Sequence, residues 1–216
     1  MLEWIQEQPI YGVGMNLTDP TLLALNSYTK ALSTALGYRD VSTRLHSDRV
    51  TGLSHAIGVG IGLSGSELGM LNVAASFHDV GKIGIPDAIL LKPSAHNEAE
   101  RIEMRRHTEI GEKIIAATEI EGAQEAASSI RAHHENFDGT GYPDQLAGEE
   151  IPLFARIISI ADSYDAMAET RVHHRARSHS EIMAILDEET GHKHDPALMR
   201  HFSALIVASE LKAGGQ

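Results

Sequence analysis

The sequence contains no cysteine. That excludes disulfides and thiolate metal sites, and it fits a reducing compartment such as the cytosol. No apolar run approaches the roughly 18 residues that a membrane span needs. The opening stretch, MLEWIQEQPIYG, has no basic segment leading into an apolar one. No secretion signal is read there, and the expected location is cytoplasmic, with no membrane partner. Positive charge is also scarce, with 18 Lys and Arg against 30 Asp and Glu and a net charge of −12. Affinity for DNA rests on many cationic contacts to phosphate, so no nucleic acid polymer is expected as a partner. A small anionic substrate stays compatible with this charge, because bound metal cations can reverse the local sign of a site. No alternating stretch is long enough for a sheet, and there is no internal repeat and no low-complexity linker.

The chain is rich in helical signals. Its 216 residues suit one good-sized domain, and 42 % hydrophobic with 22 % charged residues is a globular composition. Asp19 and Pro20 start a helix that carries Leu22, Leu25, Leu32 and Leu36 on one side and closes at Gly37. A second helix is expected from Ser42 to about Ile57. A capping box, Ser64 with Glu67, opens a third that runs to His78. Asn97 with Glu100 opens another, which carries His107, breaks or bends near Gly111 and resumes to about Thr118. Gly122–Asn136, Pro152–Met167, Ser180–Thr190 and Pro196–Leu211 complete the set, the last capped by Asp195. The expected fold is all-α, with residues 1–40 as an N-terminal helical segment. Gly60, Gly62 and Gly65 satisfy the dinucleotide-binding spacing GxGxxG, but that spacing carries weight only between a strand and a helix. Here a helix precedes it, and the glycines read as a helix-ending turn.

Chemistry concentrates in a few places. In FHDVGKIGIPD, His78 and Asp79 lie about 100° apart on one helical turn, so an imidazole and a carboxylate can reach neighbouring metal ions. His133 and His134 are adjacent in IRAHHENFDGTGYP, just ahead of a stiff turn. Asp162 sits in the apolar stretch RIISIAD, where burial would be costly unless the carboxylate is paired or bound to a cation. His46 and His107 lie on separate helices; taken alone, each reads as a satisfied or exposed imidazole. Asp138, Gly139, Gly141 and Pro143 would make a turn in any protein. His55, nine residues from His46 and about 180° around the shared helix, is left out of the site. His173, His174, His192 and His194 read as solvated.

The ordered set His46, HDVGK, His107, HHENFDGTGYP and Asp162 resembles the HD-GYP domain, a subgroup of the HD phosphohydrolase superfamily. The resemblance spans about Ser42 to Arg171, with more at HDPALMRHF. It implies a helical HD-domain bundle over residues 41–216 as the catalytic unit, a buried dinuclear metal site, and hydrolysis of cyclic di-GMP, a bacterial signalling molecule, by metal-activated water. It further implies that one metal takes His46, His78, Asp79 and Asp162. The other takes His107, His133 and His134, with Asp79 shared as the bridge. Imidazole and carboxylate donors suit Fe or Mn. Asp79 and Lys82 would be catalytic, and Lys82, Arg171 and the loop Gly141, Tyr142 and Pro143 would meet the substrate. Lys82 also reads as an ordinary surface lysine, and Asp165 as either a surface acid or a partner that orients a ligand.

The sequence departs from the family pattern twice. Where Arg-Pro-Tyr-Arg-Lys is common, this chain reads RVHHR at 171–175, which alters the substrate side. Some members carry a Glu four residues before the first histidine ligand, supporting a third ion; here that position is Ser42, so two metals are expected. The rival functions are hydrolysis of another cyclic dinucleotide or nucleotide phosphate, a di-iron oxygenase, and a module that binds a nucleotide without cleaving it. A homodimer and a regulatory protein partner are left open.

Overall fold

The computed structural model describes residues 34, 37, 38, 41–118, 122–169, 175–207, 209 and 211–213. The helix expected over Asp19–Gly37 therefore lies outside the described residues, apart from two isolated positions. So do Arg171, His173, His174 and the Ser42 side chain.

Nine α-helices follow one another through the described residues: α1 (Val41–Gly60), α2 (Gly65–Phe77), α3 (Asp87–Leu90), α4 (Glu98–Arg105), α5 (His107–Ala116), α6 (Ala123–Ala132), α7 (Leu153–Ala168), α8 (His179–Glu189) and α9 (Pro196–Ile206). Two short 3-10 helices, Val80–Gly84 and Gly148–Glu150, interrupt the series. Among the described residues the only β-structure is a pair of isolated bridges, so the all-α expectation holds. No helix of the described residues is long and apolar enough to cross a membrane.

Two helices are buried on nearly every side. α7 buries Phe154, Ile157, Ile158, Ile160, Ala161 and Tyr164, and α2 buries Met70, Leu71, Val73, Ala74, Ala75 and Phe77. Such all-round apolar helices belong at the centre of a bundle. α1 packs on both through Val50, Leu53 and Ile57, which share one face at helical spacing. α6 offers a flat face of Ala123, Ala126, Ala127 and Ile130 to α2 and α5, while α8 and α9 close the far side through Leu186, Leu198 and Phe202. One continuous core runs from Val50 to Ile206.

The caps fall where the sequence places them. Ser64–Glu67 and Asn97–Glu100 form complete capping boxes, and Asp195 accepts from Ala197 and Leu198 N–H. A third box, Ser178–Glu181, starts α8 earlier than expected. Gly60 ends α1, Gly62 is left-handed at φ 83°, and the chain turns directly into the Ser64 box. This is the turn expected from the glycines of GxGxxG.

Several boundaries need correction. The break expected near Gly111 lies instead at Arg106, between α4 and α5. Gly111 is buried inside α5 because it faces Gly81 of the 3-10 helix: a Cβ on Gly81 would overlap the His107 carbonyl and Gly111 N. Two glycines let two backbones touch, which brings the segment after Asp79 onto the start of α5. α2 and α6 also stop short of expectation, at Phe77 and Ala132, leaving His78 and His133 as their C-caps. The last helix ends at Ile206, not near Leu211.

Candidate metal centre

Helix ends aim most of the site. A terminating helix leaves carbonyls without partners from the next turn. His78, at the end of α2, donates its Nδ1–H to Ala75 O at 2.7 Å. His133, at the end of α6, does the same to Ile130 O at 2.7 Å, and His107, at the α4–α5 junction, to Met104 O at 2.7 Å. A carbonyl only accepts, so in each neutral ring Nδ1 carries the proton and Nε2 presents a lone pair. One local device, a bond from the ring to the carbonyl three residues back, is used three times and fixes the tautomer each time.

The aimed atoms form two groups. His46, His78 and Asp162 each offer an atom within 4.8 Å of the others, and so do His107, His133 and His134. Asp79 lies between them, with Oδ2 3.5 Å from His78 Nε2 and Oδ1 3.6 Å from His107 Nε2. Asp79 follows His78 at the start of the Val80–Gly84 helix, so the Gly81–Gly111 contact is what carries its carboxylate to His107. Lys82 Nζ is 2.6 Å from Asp79 Oδ2.

His46 comes from α1 and Asp162 from α7. His46 Nδ1 bonds Asp165 Oδ2 at 2.7 Å and its Nε2 lies 3.0 Å from Asp162 Oδ1. Asp165 is buried and is also held by Arg49 Nε at 2.6 Å, with Arg49 reaching on to Glu169 at 2.5 Å. Of its two readings, the orienting partner is the one the geometry bears out.

Burial alone would discharge every group here. It pushes the Asp79 carboxyl up, but Lys82 and the surrounding imidazoles hold it well below the usual carboxylate range. Asp162, also pushed up by burial, is held well below that range by His46. Burial opposes charge on His46, yet the bonds to Asp162 and Asp165 raise it to about 9. With no carboxylate bonded to them, His107 and His133 are lowered by burial, and burial takes His134 down to about 3.

The donor set fits divalent cations. His78 Nε2 is buried without a hydrogen-bond partner among the described residues. His107 Nε2 and His133 Nε2 face each other at 3.5 Å, and neither has a proton to give. Buried lone pairs converging without a donor are costly, and a cation satisfies all of them at once. Nitrogen and oxygen donors without sulfur suit Fe, Mn or Zn.

The other expected residues are arranged as follows. Gly141 is buried so tightly that a Cβ would overlap Asn136 N and the Glu135 backbone. Tyr142 stacks on His134 with ring centroids 4.9 Å apart, and Pro143 follows it in the same loop. His55 bonds Asn72 at 3.2 Å, away from the cluster as expected. His194 is a correction: it is not solvated but 1 % exposed, 3.2 Å from Glu189 Oε2 and 3.5 Å from Ser159 Oγ. Its place beneath α7 follows from the Asp195 cap and carries no periodic signal in the sequence. His192 is exposed as expected.

Three contributors escaped the sequence reading. Glu135 is buried and accepts Asp144 N–H at 2.6 Å and Gln145 N–H at 3.0 Å. Arg177 and Lys193 line a cleft of about 440 Å³ that also touches His134, Asp162, Ser163 and Glu189. That volume is in the range of small-molecule sites. Only Glu135 left a trace, as an acid directly after the histidine pair.

Comparison with known proteins adds a family. The model of the HD domain family matches residues 30–198. The cyclic di-GMP phosphodiesterase response regulator RpfG of Xanthomonas campestris pv. campestris is 38 % identical over 165 residues, covering 76 % of this chain and 44 % of that protein. The 3'3'-cGAMP-specific phosphodiesterase 2 of Vibrio cholerae is 32 % identical over 195 residues, 88 % of this chain and 37 % of that one. The chain thus spans less than half the length of these relatives. Among solved structures, a cyclic GMP-AMP specific phosphodiesterase of V. cholerae superposes with a TM-score of 0.63 at 22 % identity, covering 87 % of this chain and 50 % of that one, which is a likeness of fold.

Proposed function

The chain belongs to the HD domain family and carries the HD-GYP residue set, and from that premise we propose that it is a metal-dependent phosphodiesterase that hydrolyses cyclic di-GMP. The observation that carries this reading is the placing of Asp79 between two donor triads, one oxygen toward each. In this reading one ion is held by His46, His78, Asp79 and Asp162, and a second by His107, His133, His134 and the shared Asp79. Fe or Mn is the expected metal. Two such ions supply an activated water and steady the leaving oxygen of a phosphodiester.

The chain's own residues do the rest. The carbonyl bonds of His78, His107 and His133 fix their lone pairs before any ion arrives, and Asp165 fixes the orientation of the His46 ring, whose Nε2 proton a cation would displace. Lys82 stands beside Asp79, where its ammonium can meet a phosphate oxygen; Arg171 is proposed for the same work. The Gly141–Pro143 loop, which stacks Tyr142 on His134, is proposed to meet the substrate as well. Arg177 and Lys193 bring positive charge into the cleft beside His134 and Asp162, which suits a dianionic dinucleotide.

A second reading, another cyclic dinucleotide as substrate, is favoured by the cGAMP-specific relative and by RVHHR at 171–175. The experiment that separates them incubates manganese- or iron-loaded protein, prepared without oxygen, with cyclic di-GMP, cyclic GMP-AMP and nucleotide monophosphates, and identifies products by mass. Cleavage of cyclic di-GMP that stops on adding a chelator is the expected result. Rapid cleavage of another nucleotide with cyclic di-GMP left intact overturns the substrate assignment.

A further inference from the structure

Four of the five clustered histidines have a hydrogen bond on Nδ1: His46 to Asp165, His78 to Ala75, His107 to Met104 and His133 to Ile130. His134 has none on its ring among the described residues. It is one residue past the helix-capping His133, so the device that orients its neighbours is already used. Its ring lies against two fellow members of the cluster, His133 at 4.0 Å and His107 at 5.1 Å between centroids, and against Tyr142, which stacks on it at 4.9 Å with the planes 30° apart. The Arg105 guanidinium also lies over the Tyr142 ring, 4.9 Å from its centroid.

The loop that presents Tyr142 is itself tied down. Its N–H bonds His134 O at 3.2 Å. The buried Glu135 carboxylate receives the Asp144 and Gln145 N–H groups just beyond the loop, and Gly141 lies so close to the Glu135 and Asn136 backbone that no side chain fits. The chain from His134 to Gln145 folds back on itself so that the residue eight positions after His134 covers its ring.

We infer that Tyr142 is a positioning residue for His134, setting by ring stacking the orientation that its neighbours receive from hydrogen bonds, with Glu135 clamping the loop that delivers it. This rests on the metal reading above and gives the loop, beside the substrate contact proposed for it, the support of one metal ligand.

The test is metal occupancy, not turnover. Wild type, Tyr142→Phe and Tyr142→Leu are stripped with chelator and titrated with manganese(II) without oxygen, and the melting temperature of each metal-free protein is recorded. Phe keeps the ring and is expected to bind both ions as wild type does. Leu keeps bulk without a ring and is expected to weaken one ion by about tenfold, the scale of losing a ligand's supporting contact, with the other ion and the metal-free melting temperature unchanged. Normal binding of both ions by the Leu variant overturns the inference. Loss of both ions together with a lower melting temperature also overturns it, by giving Tyr142 a packing role. A wild type that binds two ions yet cleaves no cyclic dinucleotide removes the substrate assignment and leaves this inference standing; a wild type that binds none removes both.

Discussion

His107 Nε2 and His133 Nε2 face each other at 3.5 Å with no proton between them, because each ring has committed its proton to a backbone carbonyl. A bundle of helices has no structural use for two buried acceptors aimed at one another. The same pattern recurs at His78 Nε2, so the arrangement suits a cation.

Asp79→Ala should abolish turnover, by about a thousandfold or more, because it removes the carboxylate proposed to be shared by two ions. His55→Ala, on the far side of α1 against Asn72, should change the rate less than about twofold. Steady-state assays with metal counts on both variants check this. An Asp79 variant that keeps its activity and its metals means that the site is placed wrongly.

Asp165→Asn should lower affinity for the ion proposed at His46 by about 10- to 100-fold, since the charge that orients the His46 ring and raises its basicity is lost. Competition with a chelator of known strength measures it. The ion at His107, His133 and His134 should be unaffected, because none of those rings contacts Asp165.

Gly81→Ala should cost about 1–3 kcal/mol of stability, as a Cβ there overlaps the His107 carbonyl and forces the 3-10 helix off α5. Urea unfolding of the metal-free protein gives the number. The same displacement should separate Asp79 from His107, so metal binding should fall with stability.

Lys82→Ala and Arg171→Ala should each lower kcat/KM on cyclic di-GMP by at least about tenfold, as a charge-assisted contact is worth roughly 1.5–3 kcal/mol, with both metals kept. A drop accompanied by metal loss would instead tie Lys82 to Asp79, its partner at 2.6 Å.

Most of the helices were legible because their caps are local: Ser64 with Glu67 and Asn97 with Glu100 need no distant partner. The break at Arg106 was not, because Gly111 looks like a helix breaker until the facing Gly81 is known, and that contact links residues thirty apart in sequence. The donor residues were legible as a set and not singly; which nitrogen each presents depends on a carbonyl three residues back and on where the helix stops. Glu135 and His194 were missed for the same reason. Their burial follows from what packs over them, a loop for one and α7 for the other, and neither has a periodic signature.

The account rests on two cation sites sharing Asp79. The direct measurement is the metal content of the protein purified without oxygen, repeated with Asp162→Ala and His133→Ala. Two ions per chain in the wild type and one in each variant, missing from different sites, is the predicted result. No bound metal in the wild type, or a third fully occupied protein-built site, contradicts it.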